Sequence, residues 1–536
     1  MTYSGMDWFC GAGGSSQGLH VTPGLEVGWA ANHWVKAIES HAANFPTTDH
    51  WIGDIRDEPV GRWPIADFFW ASPECPQWSS ARGKKQTYQY SLQGELFDAV
   101  DDPGEKAKRD EAERSRALME EVPLYLEGVI ARGGLVLAGA VENVVEVRRW
   151  DQWDRWVARI RRLGYHVRLI ALNSMHAQPG RSAWVPQSRD RLYLGYWHKS
   201  LARQPDWDKW LRPMAYCGSC EQWIQAVQSW KNPGTDMGRY RTQYVYRCPH
   251  ISCGNAVVEP PTVPAAAAID WSVPGVRIGD RRKPLAEKTM NRIRVGLQRF
   301  GSVVPMTVPT GGTWREDAVP VHMPMPARTT RDNDGIVIPP LIVPMEGRDG
   351  KEAQLASAPM RTQTTRAETG VAFWPFVTEL RGGSSDVRSV SEALATVTAS
   401  GNHHGLVTPG AMSAQAGRSL LVPYYGNARS RPVTEPVGTL STRDRYALVD
   451  VISARDIDIN EVSFRMLQPR EIQVAMAFGR DYILLGNKRQ KVRQLGNAVT
   501  PACAEVIACA LMEAVTGEDI ERWPSRSAAE NLLVPA

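Results

Sequence analysis

Five stretches carry residue types that chemistry uses, and each lies where an apolar run gives way to a loop. In ASPECPQWSS, Cys75 follows the apolar run Asp67 to Ala71, which puts a thiol at the carboxyl edge of a sheet, where open α/β sheets hold their ligands. A lone cysteine otherwise reads as a small core hydrophobe. GAVENVVEV closes a second apolar run with Glu142 and Asn143, bringing a carboxyl to the same edge. In WVPQSRDRLYLGYW, Gln187, Arg189 and Arg191 alternate along an extended segment, so they share one face and need an anion, another protein group or solvent. DWFCGAGGSSQG sets Phe9, Gly11, Gly13 and Gly14 at a strand-to-helix junction. Glycines there admit close backbone approach of a ligand, and helix amides face a carboxylate or phosphate, although a tight structural turn has the same look. In VRQLGNAVTPACAEVI, Gly496 and Asn497 precede a helix and are placed to close over a ligand held by the first glycines.

The scaffold that must position these groups is written in the first 200 residues. Tyr3 to Phe9, Leu25 to Ala30, Ala66 to Ala71, Gly134 to Val141, His166 to Leu172 and Leu192 to Tyr196 are strand candidates separated by amphipathic stretches. That rhythm predicts a doubly wound α/β sheet. The charged run from Asp101 to Arg116 is expected to form a solvated loop leading into a helix. From about residue 201 to 264 tryptophan and cysteine become frequent and the rhythm stops, marking an insert. Helical periodicity returns after about residue 451, in FRMLQPREIQVAMAFG and PACAEVIACALMEAV, so the α/β domain is expected to break after Arg191 and resume near the C-terminus.

Between these parts, residues 265 to 450 repeat themselves four times. An apolar start at Val303, Ile342, Phe376 and Leu421 leads to a Thr-rich segment (PMPARTTR, PMRTQTTR, ALATVTAS, PVGTLSTR). A second apolar run then closes each unit, from Gly335, Gly370, Gly405 and Ala447. β-Branched residues with proline at the margins suggest repeated strand and turn units. Arg331, Arg366 and Arg443 stand beside the threonines in three units; such a row either follows a phosphate backbone or is simply solvated.

Composition sets the outer limits. A chain of 536 residues exceeds what one core supports, and 43% hydrophobic with 22% charged residues excludes a disordered polymer and a small disulfide-stapled scaffold. The net charge of +4 is too weak to name a polyanion as partner. Most of the 20 tryptophans are expected in the core. No apolar run reaches the roughly 18 residues a bilayer requires and no cleavable leader is evident, so an intracellular protein without a membrane partner is expected.

Taken in order, these blocks resemble those of the cytosine-5 DNA methyltransferases from residue 7 to about 509. ASPECPQWS, ENV, Gln-x-Arg-x-Arg and GNAV match in sequence order, and FRMLQPRE resembles the block packing the base of the recognition domain. The resemblance implies a Rossmann-like methyltransferase sheet that binds S-adenosylmethionine through Phe9, Gly11, Gly13, Gly14, Asp54, Ile55, Asn497 and Val499. It further implies Cys75 as the thiolate that adds to carbon 6 of cytosine, and Glu142 as the acid that quenches the developing ring charge, with Asn143 fixing the loop. Arg189 and Arg191 would hold the base carbonyl and a neighbouring phosphate. A duplex cytosine reaches such a site only by flipping out of the stack. Double-stranded DNA, bound by a monomer in the cytoplasm of a bacterial or phage-infected cell and so associated with its nucleoid, is the implied partner, in a restriction-modification or phage setting. Two positions depart from the pattern. Asn32 and His33 stand where an acid usually holds the cofactor ribose, and Glu74 precedes Cys75, where a like charge raises a thiol pKa. These departures keep open a catalytically silent DNA-binding homologue and an enzyme that transfers a group other than methyl or acts on an already modified cytosine. An RNA cytosine methyltransferase using the same site is a further rival, which the large middle region argues against.

The insert has its own signal, Cys217-x2-Cys220 and Cys248-x4-Cys253. Paired cysteines at hairpin spacing fit a zinc ribbon with four thiolates, a structural metal with no open position. His250 is an alternative ligand, and four free cysteines the competing account. Arg239, Tyr240, Arg241, Tyr244, Tyr246 and Arg247 either touch DNA or form the small core of the ribbon. The expected organisation is a catalytic domain at 1–205, a zinc-ribbon-like insert at 206–264, a repeat-containing, mainly β target-recognition region at 265–450, and a C-terminal part at 451–536 completing the catalytic domain.

Overall fold

A strand whose neighbouring residues are all buried must be covered on both faces, and Phe68, Phe69 and Trp70 are each at most 1% exposed. In the computed structural model, which describes residues 2–73, 103–263, most of 265–290, strand segments and short pieces between 306 and 466, and 468–523, these residues lie in the middle of a seven-stranded sheet. Its strands are β1 (Tyr3–Trp8), β2 (Leu25–Asn32), β3 (Asp49–Ile52), β4 (Phe68–Ala71), β5 (Ala138–Asn143), β6 (Tyr165–Asn173) and, after the two-residue β7 (Gln187–Ser188), β8 (Asp190–His198). The order is β3-β2-β1-β4-β5-β8-β6. The first five strands pair in parallel, while β8 runs antiparallel between β5 and β6. Every strand expected from the sequence is present; β3, short and half-exposed at the edge, had no apolar run to announce it.

Helices cover both faces. α1 (Gly14–His20), α2 (Val35–Asn44), α3 (Pro103–Ala131) and α4 (Trp153–Arg162) follow in chain order, then the short α5 (Trp207–Leu211), α6 (Pro469–Ala475), α7 (Lys488–Asn497) and α8 (Pro501–Thr516). Met6, Trp8 and Phe69 face a core built with α3 and α4, whereas Leu25, Phe68 and Trp70 face one built with Leu19 of α1 and nearly all of α8. From Pro501 to Ala514 every residue of α8 is buried, so its all-round apolarity is satisfied by protein. Asp101 to Arg116 was expected to be a loop; from Pro103 onward it forms instead the first half of the 29-residue α3. Alanine, glutamate, lysine and arginine are good helix formers, and opposite charges at i,i+4 support one another. FRMLQPRE likewise splits: Val462–Met466 is a strand, and the helix starts at Pro469 behind a capping box of Gln468 and Glu471.

The insert forms two small sheets. β9 (Met214–Cys217) pairs with β10 (Gln222–Gln225), and β11 (Val227–Trp230) with β12 (Tyr244–Arg247), which also pairs with β13 (Val257–Val258). In the repeat region the described backbone shows one plan used four times: an opening strand is flanked by a short second strand and by the unit's closing strand, both antiparallel to it. The central strands are Met306–Pro309, Pro340–Pro344, Phe376–Glu379 and Arg418–Pro423. Their closing partners are Asp334–Val337, Thr369–Phe373, His404–Pro409 and Tyr446–Val451. The first and third units join in one eight-stranded sheet with Val462–Met466 and Val276–Arg277, and the second and fourth stay three-stranded. Arg331, Arg366 and Arg443 lie outside the described residues.

Candidate functional site

Three backbone positions with left-handed φ turn the chain at the end of β1: Phe9 (58°), Gly11 (55°) and Gly13 (96°), the last being the N-cap of α1. Below them Asp7 is fully buried and accepts hydrogen bonds from the Ser15 and Ser16 hydroxyls, each at 2.6 Å. Burial pushes its pKa up to about 7 against those two donors. A Cβ at Gly11 would meet open space, so this glycine leaves its backbone approachable. At Gly14 a Cβ would overlap the Val499 carbonyl oxygen, and at Gly18 that of Pro501. Gly14 and Val499 therefore meet each other, holding α1 against the start of α8. Gly496 and Asn497 stand ahead of a helix, α8, as expected, and also form the last turn of α7.

Beside this turn lies an open cleft lined by Phe9, Asn32, His33, Trp51, Asp54, Ile55 and Leu118. It joins the ends of β1, β2 and β3, so the cofactor candidates Phe9, Asp54 and Ile55 line one cleft together with Asn32 and His33, the pair that stands in place of the usual ribose acid. Asp54 caps a 3-10 turn by accepting from the Arg56 amide at 3.2 Å, and its other oxygen pairs with the Arg56 guanidinium at 2.8 Å. Asn32 uses Oδ1 to accept from the Trp34 amide at 2.9 Å. Trp51 packs at a tilt against Trp63, which makes edge contacts with Trp29 and Trp8, so the tryptophan lining the cleft is backed by an aromatic cluster.

Farther along the same sheet edge, Glu142 and Asn143 end β5 and Arg191 lies near the start of the adjacent β8. The Glu142 carboxylate meets Arg191 Nε at 3.0 Å, with both side chains largely buried. Burial raises the Glu142 pKa, and Arg191 and Arg189 only partly offset it. Arg189 is fully buried; burial, then the neighbouring Arg191, pulls its pKa down to about 9, and Nη1 donates to the Gly496 carbonyl at 3.2 Å. The two arginines thus have separate partners, one a carboxylate and one the last turn of α7. Gln187 is buried in β7 next to them. Asn143 accepts from the Val144 amide at 2.7 Å and reaches the Pro73 carbonyl at 3.4 Å, just past the end of β4. Cys75, Glu74 and Ser79 lie outside the described residues.

Three positioning groups went unread in the sequence. Tyr482 donates its hydroxyl to the Ala12 carbonyl of the glycine turn. Glu505, buried on α8, accepts from the backbone amides of Gly180, Arg181 and Ser182 at 2.9, 2.9 and 2.5 Å, fixing the approach to β7. Asp190, between the two arginines, accepts from the Tyr240 amide at 3.0 Å. A carboxylate inside PACAEVIACALMEAV was the legible signal for Glu505, since a buried charge in an apolar helix demands a partner.

In the insert, the sulfurs of Cys217, Cys220, Cys248 and Cys253 all lie within 4.8 Å of one another. Cys217 to Cys253 is 3.9 Å and Cys220 to Cys248 is 3.8 Å. A tetrahedron of thiolates about 2.3 Å from zinc has edges of about 3.8 Å, so the donor set fits that ion. His250 contributes its carbonyl, which accepts from Cys253 Sγ at 3.2 Å. Tyr240, Tyr244 and Tyr246 are buried. They form the small core of the insert, the second of the two readings their pattern allowed.

Comparison with curated proteins returned no match. Among solved structures the chain is similar to the Entamoeba histolytica methyltransferase EhMeth (10% identity, TM-score 0.41, 96% of this chain and 98% of that one). It is also similar to a Spodoptera frugiperda DNMT2 variant (12%, 0.41, 96% and 100%). A third is a putative DNA modification methyltransferase encoded within an E. coli prophage (12%, 0.39, 96% and 100%). The model for C-5 cytosine-specific DNA methylase matches residues 3–100 and 351–513, which carry the glycine turn, the cleft, the Cys75 block, α7 and most of α8. Over these two stretches the chain is similar to the C-5 cytosine-specific DNA methylase family, and the match supports an S-adenosylmethionine-dependent methyltransferase.

Proposed function

We propose that the protein is a DNA (cytosine-5-)-methyltransferase acting on a flipped cytosine in duplex DNA. The observation that carries this reading is the buried Glu142–Arg191 pair, next to Asn143, which reaches the Pro73 carbonyl just past the end of β4, two residues before Cys75 in the sequence. A carboxyl kept above its usual pKa beside a guanidinium is suited to giving a proton or hydrogen bond to a ring nitrogen while the base carbonyl is held. Cys75 is the nucleophile that adds to carbon 6, turning the ring into an enamine with a reactive carbon 5. The cleft fits S-adenosylmethionine: open space at Gly11, a lining tryptophan and polar groups at Asn32 and Asp54 suit an adenosine with an amino-acid tail. When bound, that cofactor supplies the electrophilic methyl group.

The division into a catalytic domain at 1–205 completed by 451–536, an insert at 206–264 and a recognition region at 265–450 is part of this proposal, as are a structural zinc in the four-cysteine site and a monomer working on DNA in the cytoplasm. The four-unit β region, with Arg331, Arg366 and Arg443 as candidate phosphate contacts, is a large surface for a substrate as long as a duplex and favours DNA over a compact RNA. A genome-protection role, as in restriction-modification, accords with such a substrate. The test is incubation with labelled S-adenosylmethionine and either unmodified duplex DNA or transfer RNA, with a Cys75→Ala control and nucleoside mass analysis. Label in DNA as 5-methylcytosine with the wild type alone is the expected result. Label only in RNA, or DNA binding without transfer, would overturn it.

A further inference from the structure

The four-cysteine insert does not hang from the sheet; it is fastened to the strand that carries the arginines. β9, which ends in Cys217, begins at Met214, whose backbone exchanges two hydrogen bonds with the Gln178 side chain, at 2.7 and 3.1 Å. β11 is held through Gln228, which donates to the Ala171 carbonyl of β6 at 2.9 Å. Arg148 forks onto Asp236 at 2.9 to 3.1 Å, and Arg239 pairs with Glu146. β12, which runs into Cys248, is bridged to Tyr240, whose ring packs 4.4 Å from His176. The Tyr240 amide then donates to Asp190. Asp190 is 7% exposed and opens β8 one residue before Arg191, whose Nη1 also donates to the Asp190 carbonyl at 2.9 Å.

We propose that Asp190 is a positioning residue that transmits the order of the four-cysteine module, through the Tyr240 amide, to the Arg191–Glu142 pair. The module then serves the reaction by holding the start of β8 in register, whatever it also does toward DNA. The continuous path runs from Cys248 along β12 to Tyr240, Asp190, Arg191 and Glu142. Each link is a backbone step or a hydrogen bond or ion pair, so a shift of the module moves the guanidinium against the carboxyl. Misplacement of a catalytic group by about 1 Å costs on the order of a hundredfold in rate. The carboxylate of Asp190 is buried, which drives its pKa up to about 6 against the Tyr240 amide, Arg239, Asn173 and Arg191. What it supplies is an acceptor oxygen, which an asparagine also offers.

The inference rests on the methyltransferase reading, and the experiment separates the two. Full-length wild type, Asp190→Asn and Asp190→Ala are compared for zinc content, S-adenosylmethionine affinity by calorimetry, thermal midpoint, and single-turnover methylation with the KM for duplex DNA. The expected result is that Asp190→Ala loses about tenfold or more in rate while KM, cofactor affinity and zinc content stay as in the wild type, and that Asp190→Asn restores most of the rate. In parallel, zinc is withdrawn from the wild type by dialysis against a metal chelator, which leaves the Cys75 thiol unmodified, and is returned by adding zinc salt. The rate is expected to fall and recover while cofactor affinity is retained. Full rate in Asp190→Ala, no rescue by asparagine, or a zinc-depleted protein with undiminished rate would each overturn the coupling. Should Asp190→Ala fail to fold, the asparagine variant and the zinc cycle decide alone. A wild type that methylates no DNA would instead sink the functional reading.

Discussion

At the scale of single residues, Glu142 decides how the site responds to pH. Its carboxyl is driven above the ordinary range by burial, and the pull of Arg191 and Arg189 does not cancel that. A raised pKa extends the protonated, hydrogen-bond-donating form to higher pH, so the rate of the chemical step should fall as pH rises through it. Glu142→Gln keeps a donor of similar shape but cannot transfer a proton. It should lose about a hundredfold or more in single-turnover rate and flatten the alkaline fall, with cofactor affinity unchanged. A variant that keeps the pH dependence would assign that limb to another group. Glu142, Asn143 and Arg191 were legible because each falls within a residue or two of a strand end, where the chemistry of an open sheet collects. What could not be read was partnership. The arginines were placed on one face, yet Arg189 reaches Gly496, 307 residues away, and Arg191 reaches Glu142. Spacing along one strand says nothing about what a distant segment brings opposite.

At the scale of elements, the glycine turn shows one motif doing two jobs. Gly11 faces space, whereas Gly14 and Gly18 let the backbone of α8 lie against α1. Gly11→Ala should therefore cost only the left-handed backbone strain, on the order of 1 kcal/mol, and should chiefly affect cofactor binding. Gly14→Ala must push away a carbonyl oxygen and the Phe478 ring, so its cost should be about 3 kcal/mol or more. Denaturant unfolding of the two variants checks this, and equal midpoints would contradict the division. The sequence suggested that glycines admit a ligand; it held no sign that two of them admit a helix arriving from nearly 490 residues later. The same blindness affected α3. Its charged first half resembled a solvated loop because nothing in it needs burial, although its helix propensity was in view throughout. The repeats were the opposite case. β-Branched runs at a recurring spacing translated directly into opening and closing strands, since pairing within a unit depends only on local sequence.

At the scale of the whole molecule, the joint between the insert and the sheet can be probed through His176. The ring is buried between Tyr240 and Tyr246, and neither nitrogen has a hydrogen-bond partner among the described residues. Burial, with the Arg241 charge, pushes its pKa down to about 3. In the unfolded chain the imidazole titrates near 6.5, so above that pH both states are neutral and the residue adds no pH dependence. As the pH falls from about 6.5 toward 3 the unfolded state alone takes up the proton, and stability is lost through that window. His176→Phe fills the same space, removes two unsatisfied nitrogens and takes away the proton uptake. It should stabilise the protein by about 1 to 3 kcal/mol at neutral pH and by about 2 kcal/mol more at pH 5. His41, held neutral down to about 3 by burial and by His50, keeps its own share of the acid loss in both proteins, so the difference between them isolates His176. Urea unfolding at pH 7.5 and pH 5 measures both quantities. An advantage that is equal at the two pH values would mean that His176 is solvated in the native state, and therefore that the insert does not seal against the sheet as the tyrosine packing requires.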